Sequence, residues 1–234
     1  MSIPLPLAPL RVLLQTTPDQ TERLRLLQLE FAQACNALAP LVQQTACWNR
    51  VALHHMAYRQ LRAQFPGLGS QMVCNVIYSV SRTCRIVYQG KDSPFNLQRL
   101  AGRPLPLLRF SALSPVYFDR HTLSVKDGRA SMYTLDGRMR FALRLGPTDD
   151  QRFRTERLRE IVLLRQDERF VLKFSFVPPT TTPAASTSRR PDDAAMSGPD
   201  DADSAGADLD SASPLPAYVA VVGAQGPNLD ALST

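Results

Sequence analysis

Apolar residues along this chain recur with two different periods, and the change falls near Gly90. Leu10 to Gln15 is a short run rich in Leu and β-branched residues and predicts a strand. Thr17-Pro18-Asp19-Gln20 then predicts a helix start, with Thr17 as N-cap, Pro18 at the first helical position and Gln20 placed for a capping box. Leu24, Leu27, Phe31, Ala34 and Leu38 follow at spacings of three and four, one apolar stripe on that helix. After Pro40 a second helical stretch is expected to about Phe65, closed by Pro66-Gly67, with Leu53, Ala57 and Leu61 facing inward. A third helix is expected from Ser70, as N-cap, to about Tyr88, burying Val73, Val76, Ile77, Val80, Cys84 and Val87.

Beyond Gly90 the runs shorten and favour strands: Leu105–Phe110, Pro115–Phe118, Thr122–Lys126, Ala130–Leu135, Arg138–Leu145 and Ile161–Val177. Asp127-Gly128 and Asp136-Gly137 each separate two such runs, a strong short-range hairpin signal. Periodicity alone gives an α+β chain of one strand, three helices and about six strands. Residues 178–216 are Pro, Thr, Ser, Ala and Asp with almost no large apolar side chain. Such a stretch buries too little surface to offset the entropy of ordering, so a disordered acidic tail is expected there.

Charge sharpens this division. The net formal charge of +6 combines a body, residues 1–177, at +12 with a remainder, residues 178–234, at −6. A body of that sign attracts polyanions, because neutralising phosphates releases condensed counterions. The bias towards arginine suits phosphate and base contacts, although a GC-rich genome would produce the same bias. Cys35, Cys47, Cys74 and Cys84 show no metal-ligand spacing and are expected as buried free thiols. His54 and His55, adjacent on a helix, point about 100 degrees apart and are expected to be a packed surface pair rather than metal ligands. Phe31 and Trp48 are expected in the core. No leader-like or membrane-spanning run is present in the sequence, which leads us to expect a cytoplasmic protein without membrane contact.

Two sets of residues are candidates for contact with nucleic acid. On the third helix, Gln71, Asn75, Tyr78, Arg82 and Arg85 recur at gaps of four, three, four and three, opposite the apolar side. Amides can bond base edges, tyrosine can stack and arginine pairs with phosphate; an ordinary solvated helix face would carry a similar stripe. Arg138, Arg140 and Arg144 keep a period of two and should share one sheet face, with Arg129 nearby. Arg152, Arg154, Arg157 and Arg159, interrupted by Glu156 and Glu160, are expected on a linker or helix surface.

Over residues 7–177 the order and spacing of several segments resemble one family: Thr17-Pro18-Asp19-Gln20, Phe31 to Asn36, Leu53-His54-His55-Met56-Ala57-Tyr58-Arg59, Leu68-Gly69-Ser70-Gln71, Tyr117 to Ser124, and Tyr133 to Arg138. The chain resembles the N-terminal half of the insertion-sequence OrfB family, also called TnpB, the transposon relatives of type V CRISPR effectors. The resemblance implies an OB-like wedge β-barrel (residues 1–16 and 91–177) with an inserted three-helix recognition domain (17–90). It further implies a linker over 178–216, and over 217–234 the vestigial first strand of an RNase H-like nuclease domain.

In that family the nuclease strand ends in an aspartate, one of three carboxylates that hold two metals for phosphodiester cleavage. Here Gln225 falls where that aspartate belongs, and Asp230 alone cannot hold two metals. No nuclease activity and no cofactor are therefore expected. The family uses its helical region near the target duplex, and the wedge could grip a guide-RNA scaffold. The expected partners are guide-like RNA and/or DNA. Two alternatives remain: a fragment that associates with or antagonises a full-length family nuclease, and the functionless product of a decaying insertion sequence.

Overall fold

The computed structural model describes residues 8–177 and 215–223. Its elements run β1 (Leu10–Leu13), α1 (Pro18–Thr45), α2 (Arg50–Gln64), α3 (Ser70–Gln89), α4 (Leu97–Leu100), β2 (Leu107–Phe110), β3 (Val116–Phe118), β4 (Leu123–Lys126), β5 (Arg129–Thr134), β6 (Gly137–Ala142), α5 (Pro147–Thr155), β7 (Arg157–Gln166), β8 (Arg169–Val177) and β9 (Val219–Val222). The expected α+β class holds. The disorder expected over most of 178–216, and the positions of Gln225 and Asp230, lie outside the described residues.

The capping box forms as its residues dictate. The Gln20 backbone N–H donates to Thr17 Oγ1 at 3.2 Å, and the Thr17 N–H donates to Gln20 Oε1 at 3.1 Å. Contrary to the expected break, α1 continues through Pro40 to Thr45 and ends on Ala46 in the left-handed region. Proline removes one helical donor; here Leu38, Ala39 and Val42 lie buried on both sides of it and hold the helix to the core. The next helix is then capped by Asn49, whose Oδ1 accepts from Ala52 N–H at 3.0 Å. The N-cap of α3 is Gly69, not Ser70, and no side chain caps it.

The strands form three antiparallel sheets, ordered β1-β8-β7-β3, β4-β5-β6 and β2-β9. They are not hydrogen-bonded into a ring, so the expected closed barrel is not seen. In the β4–β5 turn, Asp127 and Gly128 take φ of +49 and +67, the pair of left-handed residues a tight hairpin needs. The run expected as one strand over 161–177 is two, β7 starting earlier at Arg157 and turning at Asp167, which takes φ of +53. Of the arginines expected on a linker or helix surface, Arg152 and Arg154 lie on α5, whereas Arg157 and Arg159 lie on strand β7, which carries the chain into the β7–β8 hairpin.

A single cluster of buried apolar residues joins helices and sheets, from Val12 and Leu24 through Val76 and Val80 to Phe174 and Val219. The helical segment and the strands therefore share one core. Strand β9, in the segment expected to be a vestigial nuclease strand, pairs antiparallel with β2 from Val219↔Phe110 to Val222↔Leu107. All four cysteines are free: Cys35 and Cys84 are buried, Cys47 and Cys74 half-buried. His54 stacks on Tyr58 with ring centroids 4.6 Å apart, the packed surface role expected of it. Among the described residues no helix is long and apolar enough to cross a membrane.

Candidate nucleic-acid interface

The polar stripe of α3 does not face solvent. It looks onto β3, β7 and the loop before β4, and each of its members meets a partner within the protein. Gln71 donates to the Asp119 carboxylate. Asn75, only 6% exposed, lies 3.4 Å from Thr122 Oγ1. Tyr78 Oη donates to Glu160 Oε1 at 2.8 Å, and Arg82 Nη1 stands 3.9 Å from the same oxygen. Arg85 donates to Ser81 Oγ at 3.3 Å.

Glu160 reaches this seam because β7 is irregular between Leu158 and Glu160, and such a bulge re-aims the side chains around it. The Tyr78 ring meets Tyr117 edge-on at 5.4 Å, and Arg50 lies over its face. Burial, reinforced by the Glu160 charge, pushes the Tyr78 phenol up to about 12. Burial likewise raises Tyr117 and Tyr218, and the Tyr218 hydroxyl stands 3.5 Å from Thr83 Oγ1. The correction to the sequence reading is therefore one of exposure: the stripe is a polar seam between helix and sheet.

The second set is where the spacing puts it. Along β6, Arg138 and Arg140 are exposed while Met139 and Phe141 are buried, and Arg144 is exposed just past the strand. On β5 the same outer face presents Arg129, Ser131 and Tyr133, and on β4 Ser124 and Lys126. No strand position on this face is acidic. Lys126, Arg129 and Arg140 form no ion pair among the described residues. Arg138 is held in place: its Nη2 donates to the His121 carbonyl at 2.6 Å and its Nη1 to the Ser131 carbonyl at 3.2 Å. Arg144 stands against the Gln15 side-chain amide, which, oriented to accept, takes bonds from Nη2 at 2.9 Å and Nε at 3.1 Å.

Tyr133 and Lys126 escape a reading by residue type. The signal for Tyr133 lies in the turn: a two-residue loop at Leu135-Asp136 pairs Thr134 with Gly137 and so sets Tyr133 opposite Arg138. The guanidinium carbon of Arg138 sits 5.2 Å from the centroid of that ring. In the hairpin tip, Asp136 is 3.4 Å from Arg23 Nε, which ties the sheet to α1.

Among the described residues no cluster of His, Cys, Asp or Glu is arranged to hold a metal ion. What the arrangement offers is a fixed, solvent-facing set of guanidinium groups beside an aromatic ring. No protein-family model matches the chain, and a search of curated proteins returns no significant match.

Proposed function

We propose that the chain binds nucleic acid, guide-like RNA and/or duplex DNA, and has no nuclease chemistry of its own. In this reading it is a counterpart of the N-terminal half of the OrfB/TnpB nucleases. The three sheets would correspond to their wedge, α1–α3 to their recognition helices, and β9 to a vestige of the first nuclease strand. The observation that carries the reading is the outer face of β4–β5–β6, where Lys126, Arg129, Arg138, Arg140 and Arg144 stand together with no acidic strand position between them. Cations placed on one face attract a polyanion and release the counterions condensed on a nucleic acid on contact.

Fluorescence anisotropy with labelled RNA and DNA across a salt series tests this. The Arg129→Ala/Arg140→Ala variant is expected to bind more weakly whatever the sequence, with the salt slope reduced by about 0.9 per lost contact on duplex DNA and ~0.7 on single strands. Absence of binding by the parent protein at low salt sinks the proposal.

A further inference from the structure

We infer that Tyr133 and Arg138 form a stacking platform for an unpaired base, so that the face engages single-stranded nucleic acid in preference to a closed duplex. This rests on the reading of β4–β5–β6 as a nucleic-acid interface and adds the kind of strand it accepts. Tyr133 stands out among the aromatics of the strands. Tyr117, Phe118, Phe141, Phe170 and Phe174 are all buried, whereas Tyr133 is 41% exposed at the hairpin-tip end of the cationic face. The ring packs on the Arg138 guanidinium and lies close to the α2–α3 loop at Gly69, and the rest of its exposed surface faces solvent.

The pairing with Arg138 gives the ring a fixed pose. Cross-strand register sets the two side chains opposite each other, and the His121 and Ser131 carbonyls accept from the guanidinium and hold it in place. A base laid against Tyr133 would extend an existing cation–aromatic stack and lose little freedom in doing so. Arg129 lies four residues back along β5, about 13 Å at the rise of a strand, and Arg140 pairs with Ser131 between them. Both cations thus lie on one side of the ring, away from the hairpin tip, where the backbone phosphates leading from a stacked base would run.

An intact duplex cannot use this arrangement fully. Its bases are stacked inside and only phosphates and groove edges face outward, so Tyr133 has a partner only where a base is unpaired. Any base has a π-face, so the platform is tolerant of sequence.

The test compares labelled oligouridine and oligothymidine of about 12 nucleotides, within the ~4–16 nucleotide footprints of single-strand binders, with a blunt duplex of equal length. The parent is expected to favour the single strands. Tyr133→Ala should weaken single-strand binding by about 5- to 150-fold, the range for loss of one base stack, and leave duplex binding unchanged. Tyr133→Phe should retain the parent's affinity. The two oligomers report whether RNA or DNA is preferred, either result supporting the platform. Equal loss on single strands and duplex, no loss on either, or a parent that binds both forms equally would overturn it. If instead Arg129→Ala/Arg140→Ala leaves all binding unchanged, the interface itself is wrong. Thermal melts of each variant check that the exposed substitutions leave the fold intact.

Discussion

Glu160 decides what the α3 stripe can do. Its carboxylate meets Tyr78 and Arg82 in a seam where the Arg82 and Glu160 side chains are only 18% and 17% exposed. Removing the arginine leaves a mostly buried carboxylate short of its cation. Arg82→Ala is expected to cost about 1–3 kcal/mol of stability, the penalty for an under-satisfied buried polar group, measured as a fall in denaturant midpoint at constant m-value. Adding Glu160→Gln to that variant should return part of the loss; a double variant as unstable as the sum of two independent losses would contradict the seam.

The buried thiols make a second prediction, in pH. Burial raises Cys35 and Cys84 from 9.0 to about 12, and Tyr78 from 10.0 to about 12. In each case the folded chain holds the proton more tightly than the unfolded one. Their contribution is therefore whole below pH 9.0 and is lost as pH rises towards about 12. Melting temperatures should decline from about pH 9 upward, and less steeply in Cys35→Ala; an alkaline limb identical in that variant would exclude Cys35 from it. The period of α3 shows which positions share a face. It cannot show whether that face meets water or a carboxylate some 80 residues further along the chain, which is why Tyr78 and Arg82 read as exposed.

Helix α1 illustrates a different limit. Its start is legible because a capping box is local chemistry, complete within Thr17–Gln20. Its end is not, because Pro40 is tolerated on the strength of contacts with distant parts of the chain, α1 lying along β2 through Asn36 and Gln43. Pro40→Ala should restore the missing donor to the Asn36 carbonyl and stabilise the fold, by up to roughly 3 kcal/mol on helix propensity. No rise in the denaturant midpoint would mean that the helix has already relaxed around the proline. Hairpins show the same contrast: the Asp-Gly turn at 127–128 is legible, whereas the Asp167-Glu168 turn lacks glycine and hides two strands inside one apolar run. The cationic face was legible through β6 alone, since a period of two aligns Arg138, Arg140 and Arg144. Its other half, on β4 and β5, needs the register of two turns together.

At the scale of the molecule, charge and topology divide the chain differently. Charge separates residues 1–177 from an acidic remainder, yet β9 belongs to the body, its Tyr218 hydroxyl meeting Thr83 within the core. Composition could not reveal this, because four apolar residues after a long polar stretch carry no address. Replacing Val219, buried against β2, with Asp should release the strand. Amide exchange at Leu107–Phe110 would then quicken while β7 and β8 stay protected; unchanged exchange there would show that β2 does not depend on its neighbour.

The return of β9 also makes residues 178–214 a closed bridge, with both piers on the same body. The pairing of four residues is intramolecular, because residues 178–214 join the strand covalently to the body. Severing the bridge would thus act at a distance, on β2. A protease site engineered into 178–214 should, once cut, let the C-terminal piece leave on dilution to micromolar protein and bare a strand edge that invites association between copies. Gel filtration of the cut protein, with a denatured sample to show that cleavage is complete, reads both events. A piece that stays bound after dilution would mean that Tyr218 and Val219 hold without the bridge, and that the two halves form a complementing pair.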